Sequence, residues 1–313
     1  MARGRRRVGA LAVAVIALAA LLSGCETQFP SVRLRVAAGN QQGVYSLMGT
    51  YLAGAWQARL GTEQPEVMIT GGSPDNMGRL LGGQADIAFS AADVAAEPTG
   101  GKTQPRALAR IYDDYLHVVV HDDGRIQTLS DLRGMRVAIG QRNSGVEFIA
   151  KRVLAVVGLD KPGMVSTESM ELTTATEKFK RGELDAFFWS GGLPTDAIST
   201  LANSTTIRLL DLGDDLPKLR TRYPVYNAAT IPSSTYHLSG PSVNTLAVPN
   251  FLLVTSDMSD DLAEALVREF FADVPALAKV TPAALSIDIQ SAIETDPIPL
   301  HPGAARYYRS EKV

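Results

Sequence analysis

The chain has 313 residues, 45% of them hydrophobic and 20% charged, with 30 basic residues against 33 acidic ones. Four of the basic residues, Arg3, Arg5, Arg6 and Arg7, cluster at the amino end, so 26 basic residues face 33 acidic ones beyond it. That balance excludes a general nucleic-acid binder, which needs a basic surface to displace counterions, while the remaining ~290 residues suffice for one large core or two smaller ones.

Residues 1–24 read as a signal peptide: the arginine cluster precedes an apolar run from Val8 to Leu22. The run ends in Leu22-Ser23-Gly24-Cys25, which resembles the lipobox of bacterial lipoproteins. The resemblance implies cleavage before Cys25, a lipid on its thiol and anchoring outside the cytoplasmic membrane. Cys25 is the only cysteine, so no disulfide framework is available and stability must come from packing. Residues 25–31, with Pro30, read as a linker from the lipid to the folded body.

From residue 32 the pattern becomes strand, glycine-rich loop, helix, and repeats. Strands are predicted over 32–36, 67–69, 86–89 and 116–120, with helices over 44–59 and 76–81 and a loop over 97–104. After the turn Asp122-Asp123-Gly124, strands are predicted over 136–139, 186–189, 207–210 and 246–254. Helices are predicted over 147–157 and 260–271, and Pro194 suits the first turn of another. Alternation of this kind implies an α/β fold with largely parallel sheets. We expect two Rossmann-like lobes, 32–119 with 247–313 and 120–246, crossed by 116–121 and 246–254; one large α/β domain is the alternative. No internal repeat is visible.

Catalytic patterns are missing. His117 and His121 have the spacing of a helical zinc pair, yet Val118-Val119-Val120 between them favours a strand. There the imidazoles stand roughly 13 Å apart, too far to share a metal. A strand with two edge histidines is expected. No Gly-x-Ser-x-Gly elbow, phosphate loop or dinucleotide fingerprint occurs. The paired acids Asp113-Asp114, Asp122-Asp123, Asp214-Asp215 and Asp260-Asp261 are expected at turns or helix starts. The chain does not read as an enzyme.

Four segments share another design, a strand followed by small polar residues and a helix start: 39–45, 70–73, 143–147 and 190–195. Each would present unpaired backbone N–H groups and the positive end of a helix dipole at the carboxyl edge of a sheet, where open α/β sheets bind ligands. Together they predict a cleft for a small anionic or polar ligand. The candidate ligand-binding residues are Gly43, Val44, Tyr45, Ser73, Asn76, Ser90, Asn143, Ser144, Gly145, Val146, Trp189, Gly191, Gly192 and Pro194. No arginine or lysine lies inside the loops; Arg142 and Arg79 stand at their margins.

These segments resemble the TAXI family, the extracytoplasmic solute receptors of TRAP transporters. The resemblance rests on Tyr45 and its loop, Thr70-Gly71-Gly72-Ser73-Pro74-Asp75-Asn76, Ala85-Asp86-Ile87-Ala88-Phe89, residues 185–195 and the closing 297–308. Residues 129–140 are a line shared widely among binding proteins. The resemblance implies a periplasmic-binding-protein type II-like receptor, monomeric and without metal or cofactor. It would close on a carboxylate-bearing solute such as glutamate, glutamine or 2-oxoglutarate and deliver it to a membrane permease. A receptor for an ATP-driven importer and a ligand-sensing lipoprotein are the rival readings. Asn40-Gln41-Gln42 stands where the family has Gly, Ser and Thr, Ala91 where it has Gln, and Val146 where it has Thr.

Overall fold

The computed structural model describes residues 28–41 and 43–313. The signal peptide and Cys25 lie outside them. In chain order the strands and helices are β1 (Arg35–Gly39), α1 (Val44–Leu60), β2 (Glu66–Ile69), α2 (Ser73–Leu81), β3 (Ile87–Ala91), α3 (Ala92–Ala95), β4 (Pro105–His121), β5 (Arg136–Ala138), α4 (Gly145–Val156), β6 (Ser166–Glu168), α5 (Leu172–Lys180), β7 (Ala186–Gly191), α6 (Asp196–Ala202), β8 (Ile207–Leu209), α7 (Leu216–Arg222), β9 (Asn227–Ile231), β10 (Val243–Thr255), α8 (Asp260–Val280) and α9 (Pro302–Ser310).

All ten strands join one sheet in the order β2-β1-β3-β10-β4-β7-β5-β6, with β8 added on β4 and β9 on β10. Parallel pairing joins β1 with β2 and β3, and β5 with β6 and β7. The two long strands run antiparallel to each other from Ala247↔Tyr115 to Thr255↔Pro105. This is the mixed α/β arrangement expected from the alternation of elements and the periplasmic-binding-protein type II-like one that the family resemblance implies. Nearly every residue of β10 is buried, which is why it reads as a continuous apolar run.

The buried apolar residues change partners along these two strands. Leu108 to Tyr112 and Leu252 to Val254 pack with Trp56 of α1 and Leu266 and Phe270 of α8. Leu116, Val118, Val120, Leu246 and Val248 pack instead with Ile149 and Val153 of α4 and with Tyr226. One fastening occurs on both sides of this exchange. Arg35, opening β1, donates its backbone N–H and guanidinium to Asp86, just before β3. Arg136, opening β5, makes the same three bonds to Asp185, just before β7. The registers agree as well, Val36↔Ile87 and Val137↔Ala186. A repeated structural device therefore exists that single-sequence inspection did not reveal.

Three expectations need correction. Asp113 and Asp114 lie inside β4, not at a turn. Asp113 is held there by the Arg110 guanidinium at 2.8 Å. Pro194 is not in a first helical turn, because α6 starts at Asp196 with Thr195 at its N-cap. His117 is on a strand as expected but not at an edge: it is fully buried, opposite Trp189 of β7. Burial pushes its imidazole down to about 4, so it is neutral. Tyr236 bonds its Nε2 at 2.8 Å, and the Tyr115 carbonyl bonds its Nδ1 at 2.9 Å.

Candidate functional site

The carboxyl ends of β3 and β7 reach the sheet's midline on opposite sides of the two long strands. Ala91 pairs with Asn250, and Gly191 pairs with Tyr115. Between them, Tyr112 to Leu116 of β4 and Ala247 to Asn250 of β10 form a floor. Over it stand the starts of α1, α2 and α4, each entered from the carboxyl end of a strand. That geometry follows from right-handed strand–helix–strand crossovers, which place every helix start on the same edge.

The second and third glycine-rich loops meet across this floor. A Cβ placed on Gly72 would stand 4.0 Å from the Gly145 nitrogen, and one on Gly71 would stand 3.6 Å from the Asn143 carbonyl oxygen. A Cβ on Gly145 would lie 3.6 Å from the Ser73 hydroxyl. The Ser73 hydroxyl accepts the Ala91 N–H at 3.0 Å and lies 3.4 Å from the Tyr45 hydroxyl. The Tyr45 hydroxyl also donates to Oδ1 of Asn250, an amide fully buried in β10. Tyr45, Ser73, Asn143, Gly145 and Asn250 thus converge.

The helix starts offer fewer free donors than the sequence suggests. Ser144 caps α4 by accepting the Glu147 N–H at 3.2 Å, and Glu147 takes the Asn143 N–H at 2.7 Å. This resembles a capping box, except that Glu147 takes the N–H of the residue before the N-cap. Burial alone would raise the Glu147 carboxyl, but the Asn143 N–H, Lys151 and Ser169 hold it below its ordinary value. Gly71 and Gly72 likewise give their N–H groups to Asp75 and Thr70. Among the described residues, the N–H groups of Gly145 and Val146 have no partner. Asn143 holds φ at 61° to turn its backbone into the helix. Gly140 reaches φ of 87° where a Cβ would strike Val146 at 2.5 Å, so the β5–α4 turn requires glycine.

Other nominated residues serve the frame. Asn76 is fully buried and gives both amide hydrogens to the carbonyls of Ala38 and Phe89, tying α2 to β1 and β3. Ser90 is sealed in β3 and donates to the Ala91 carbonyl. Gly43 sits under Asn40, whose side-chain oxygen leaves 2.5 Å for a Cβ. Val44 begins α1 beside it, and Val146 packs among the buried residues behind the floor. Trp189 donates to the Thr195 hydroxyl at 3.0 Å and covers Gly191 so closely that a Cβ there would meet its ring at 2.7 Å. Thr195 in turn gives its N–H to Tyr236 and its hydroxyl to the Gly192 carbonyl. Pro194 is exposed.

Two carboxyls that the sequence did not single out belong to this region. Asp114 lies on the floor, next to Tyr112 and one step from Tyr115. Burial raises it to about 7; the Asn250 amide works against that rise, while Asp113 and Asp93 add to it. Asp93, at the start of α3, is pushed by burial up to about 6, with Tyr226 and Arg152 opposing. Burial also holds Tyr45 and Tyr112 well above the usual phenol range, with Asp114 adding to both. The sequence signal for this floor was Asn250 itself, the lone amide in an apolar run. Among the described residues no group of His, Cys, Asp or Glu could hold a metal ion, and no helix is long and apolar enough to cross a membrane.

Residues 36–311 match the NMT1-like family. The chain belongs to that family. Among solved structures, the NMT1-like chain is similar to XAC2383 from Xanthomonas citri bound to ATP, with a TM-score of 0.55 and 14% identity over 90% of this chain and 95% of that one. XAC2383 bound to chloride ion gives 0.53 at 12% identity, over 89% and 95%. A protein from Bordetella bronchiseptica RB50 gives 0.50 at 17% identity, over 91% of each chain. At these identities the likeness is one of fold.

Proposed function

We propose that this NMT1-like chain is an extracytoplasmic solute receptor, anchored by lipid at Cys25. It captures a small carboxylate-bearing solute between two lobes and delivers it to a TRAP-type secondary transporter. The proposed lobes are 32–119 with 247–313 and 120–246, a division supported by the change of packing partners between Tyr112 and Leu116 on β4. The carrying observation is the approach of the Gly71–Ser73 turn to the Asn143–Gly145 turn over a floor of crossing strands. Two turns from different cores that nearly touch enclose whatever lies between them, and the Gly145 and Val146 N–H groups suit a carboxylate.

Binding rather than turnover suits the residues, because among the described residues no serine or threonine hydroxyl is hydrogen-bonded to a histidine. Glutamate, glutamine and 2-oxoglutarate are the solutes that the TAXI resemblance brings forward. XAC2383, which shares the fold, is bound to ATP in one structure and to chloride ion in another. A thermal-shift screen against amino acids, keto acids and dicarboxylates tests the reading. At least one carboxylate should raise the melting temperature in a saturable way. A flat response across the panel would sink the proposal.

A further inference from the structure

Among the described residues, no cation acts on the Asp114 carboxyl of the floor. Side chains alternate along β4, so Tyr112 and Asp114 share a face. The Tyr45 ring stands on that side, 6.3 Å from Tyr112. By donating to Oδ1 of Asn250, the Tyr45 hydroxyl fixes which end of that amide is its nitrogen. The nitrogen end lies between the Val248 carbonyl, at 3.5 Å, and Asp114. Across the paired strands Tyr112 stands opposite Asn250 and Asp114 opposite Val248, and the Asn250 amide, Asp113 and Asp93 all act on the Asp114 carboxyl.

The nearby cations are committed elsewhere. Arg110 is paired with Asp113 and with Glu294. Arg152 is paired with Glu97 and bonded to Tyr226, with Phe148 and Tyr223 against its guanidinium. A carboxylate in so recessed a place is costly unless a positive group or several donors meet it. Its charged neighbours, Asp113 and Asp93, are of the same sign. The Gly145 and Val146 N–H groups at the start of α4 are without a partner among the described residues, and they suit a carboxylate. The cleft thus presents an acceptor at its floor and donors at its rim.

We infer that Asp114, oriented with Asn250 and Tyr45, receives a protonated amine of the solute, so that the receptor takes amino acids in preference to the corresponding 2-oxo acids and amine-free dicarboxylates. This rests on the solute-receptor reading above and names its substrate class. An amino acid supplies the missing cation to Asp114 and its carboxylate to the α4 start. A 2-oxo acid puts a carbonyl and a second like charge near an unpaired acid, and it can bind only if Asp114 first takes up a proton.

The test pairs each L-amino acid with its 2-oxo acid, glutamate with 2-oxoglutarate among them, by calorimetry on the full folded chain. Amine-bearing members should bind, and their affinity should rise between pH 5.5 and 8 as Asp114 ionises. Asp114→Asn should weaken them by about 10- to 100-fold, the loss expected for a charge-assisted hydrogen bond, and should flatten the pH profile. The wild-type pH profile stands as an independent readout if the variant does not fold. Tighter binding of the 2-oxo acids, or amino-acid binding that weakens as pH rises, overturns the inference and leaves a solute receptor standing. Absence of binding by every member overturns both readings.

Discussion

The hydroxyl of Tyr226 donates to the buried carboxylate of Asp93 at 2.9 Å, and the two residues belong to different sides of the crossing strands. Asp93 follows β3, among the residues that pack with α2, whereas Tyr226 packs with α4 and α7. Arg152 of α4 repeats the link beside it by pairing with Glu97. These bonds form a clasp between the two proposed lobes, and each exists only while they are together. Tyr226→Phe should leave Asp93 buried without its donor, a loss of about 1–3 kcal/mol charged to the closed form. Solution scattering of the variant should give a larger radius of gyration than wild type without ligand. An unchanged profile would mean that the lobes do not part at this seam.

Asp114 sets a pH dependence of the unliganded protein. Its carboxyl is raised in the folded state to about 7 from an ordinary value of 3.8, so folding favours its protonated form. Its effect on stability therefore worsens as pH rises through that window. Asp114→Asn should raise the melting temperature at pH 8 and raise it less at pH 5. Equal shifts at the two pH values would show that ionisation of Asp114 is not the cause.

His117 acts in the opposite direction. Its folded value of about 4 lies below the ordinary 6.5, so the unfolded chain binds the extra proton and stability falls as pH drops from 6.5 to 4. The span is on the order of 3 kcal/mol at 1.36 kcal/mol per pH unit. Urea unfolding at pH 7 and pH 4.5 should show the loss, and His117→Phe should reduce the difference between them. A variant with the wild-type pH slope would assign the acid sensitivity to other groups.

Gly145→Pro removes an N–H at the first position of α4, where proline is compatible with the helix. Solute affinity should fall by roughly tenfold or more, as for one lost hydrogen bond to a charged group, with the melting temperature of the unliganded chain nearly kept. Arg142 is exposed, and Arg142→Ala should change affinity less than threefold, within the range of surface charges. Titration of both variants with the same amino acid decides between donor-based and arginine-based capture. A large effect of Arg142 with none of Gly145 would reverse the assignment.

Cys25→Ala should release the protein from the membrane fraction, because only the thiol can carry a thioether lipid. Mass spectrometry of the amino-terminal peptide gives the direct answer. An unmodified Cys25 preceded by Gly24 would exclude the anchor.

The elements and the glycine-rich turns were legible because they depend on local pattern: β-branched runs, glycine breaks and helical spacing near Val44, Ser73 and Gly145. The first half of β4 was not, since Arg106, Arg110, Asp113 and Asp114 interrupt its apolar period; their charges are met by pairing or by place in the cleft. The framework bonds of Asn76 and Ser90 were not legible for a related reason. A small polar residue after a strand looks the same whether its hydrogen bonds go to a ligand or to a neighbouring backbone carbonyl. The Asp93–Tyr226 and Tyr45–Asn250 bonds join residues far apart in the chain, and no local spacing encodes them. The Arg35–Asp86 and Arg136–Asp185 fastenings were present as Arg-Val-Ala at the head of two strands, too short to register as a repeat.

The return of the chain through β10 has a consequence for how the protein is made. The core containing Leu116, Ile149 and Tyr226 is complete once residue 248 has been synthesised, whereas the core begun with Leu34 and Trp56 still lacks Leu252, Phe270 and Tyr308. The half of the molecule that starts first is therefore finished last. During synthesis or emergence across a membrane, amino end first, β1, β2 and β3 have no covering from α8 and α9 until the final residues arrive. Residues 262–308, which supply none of the candidate ligand-binding residues, decide when that core closes.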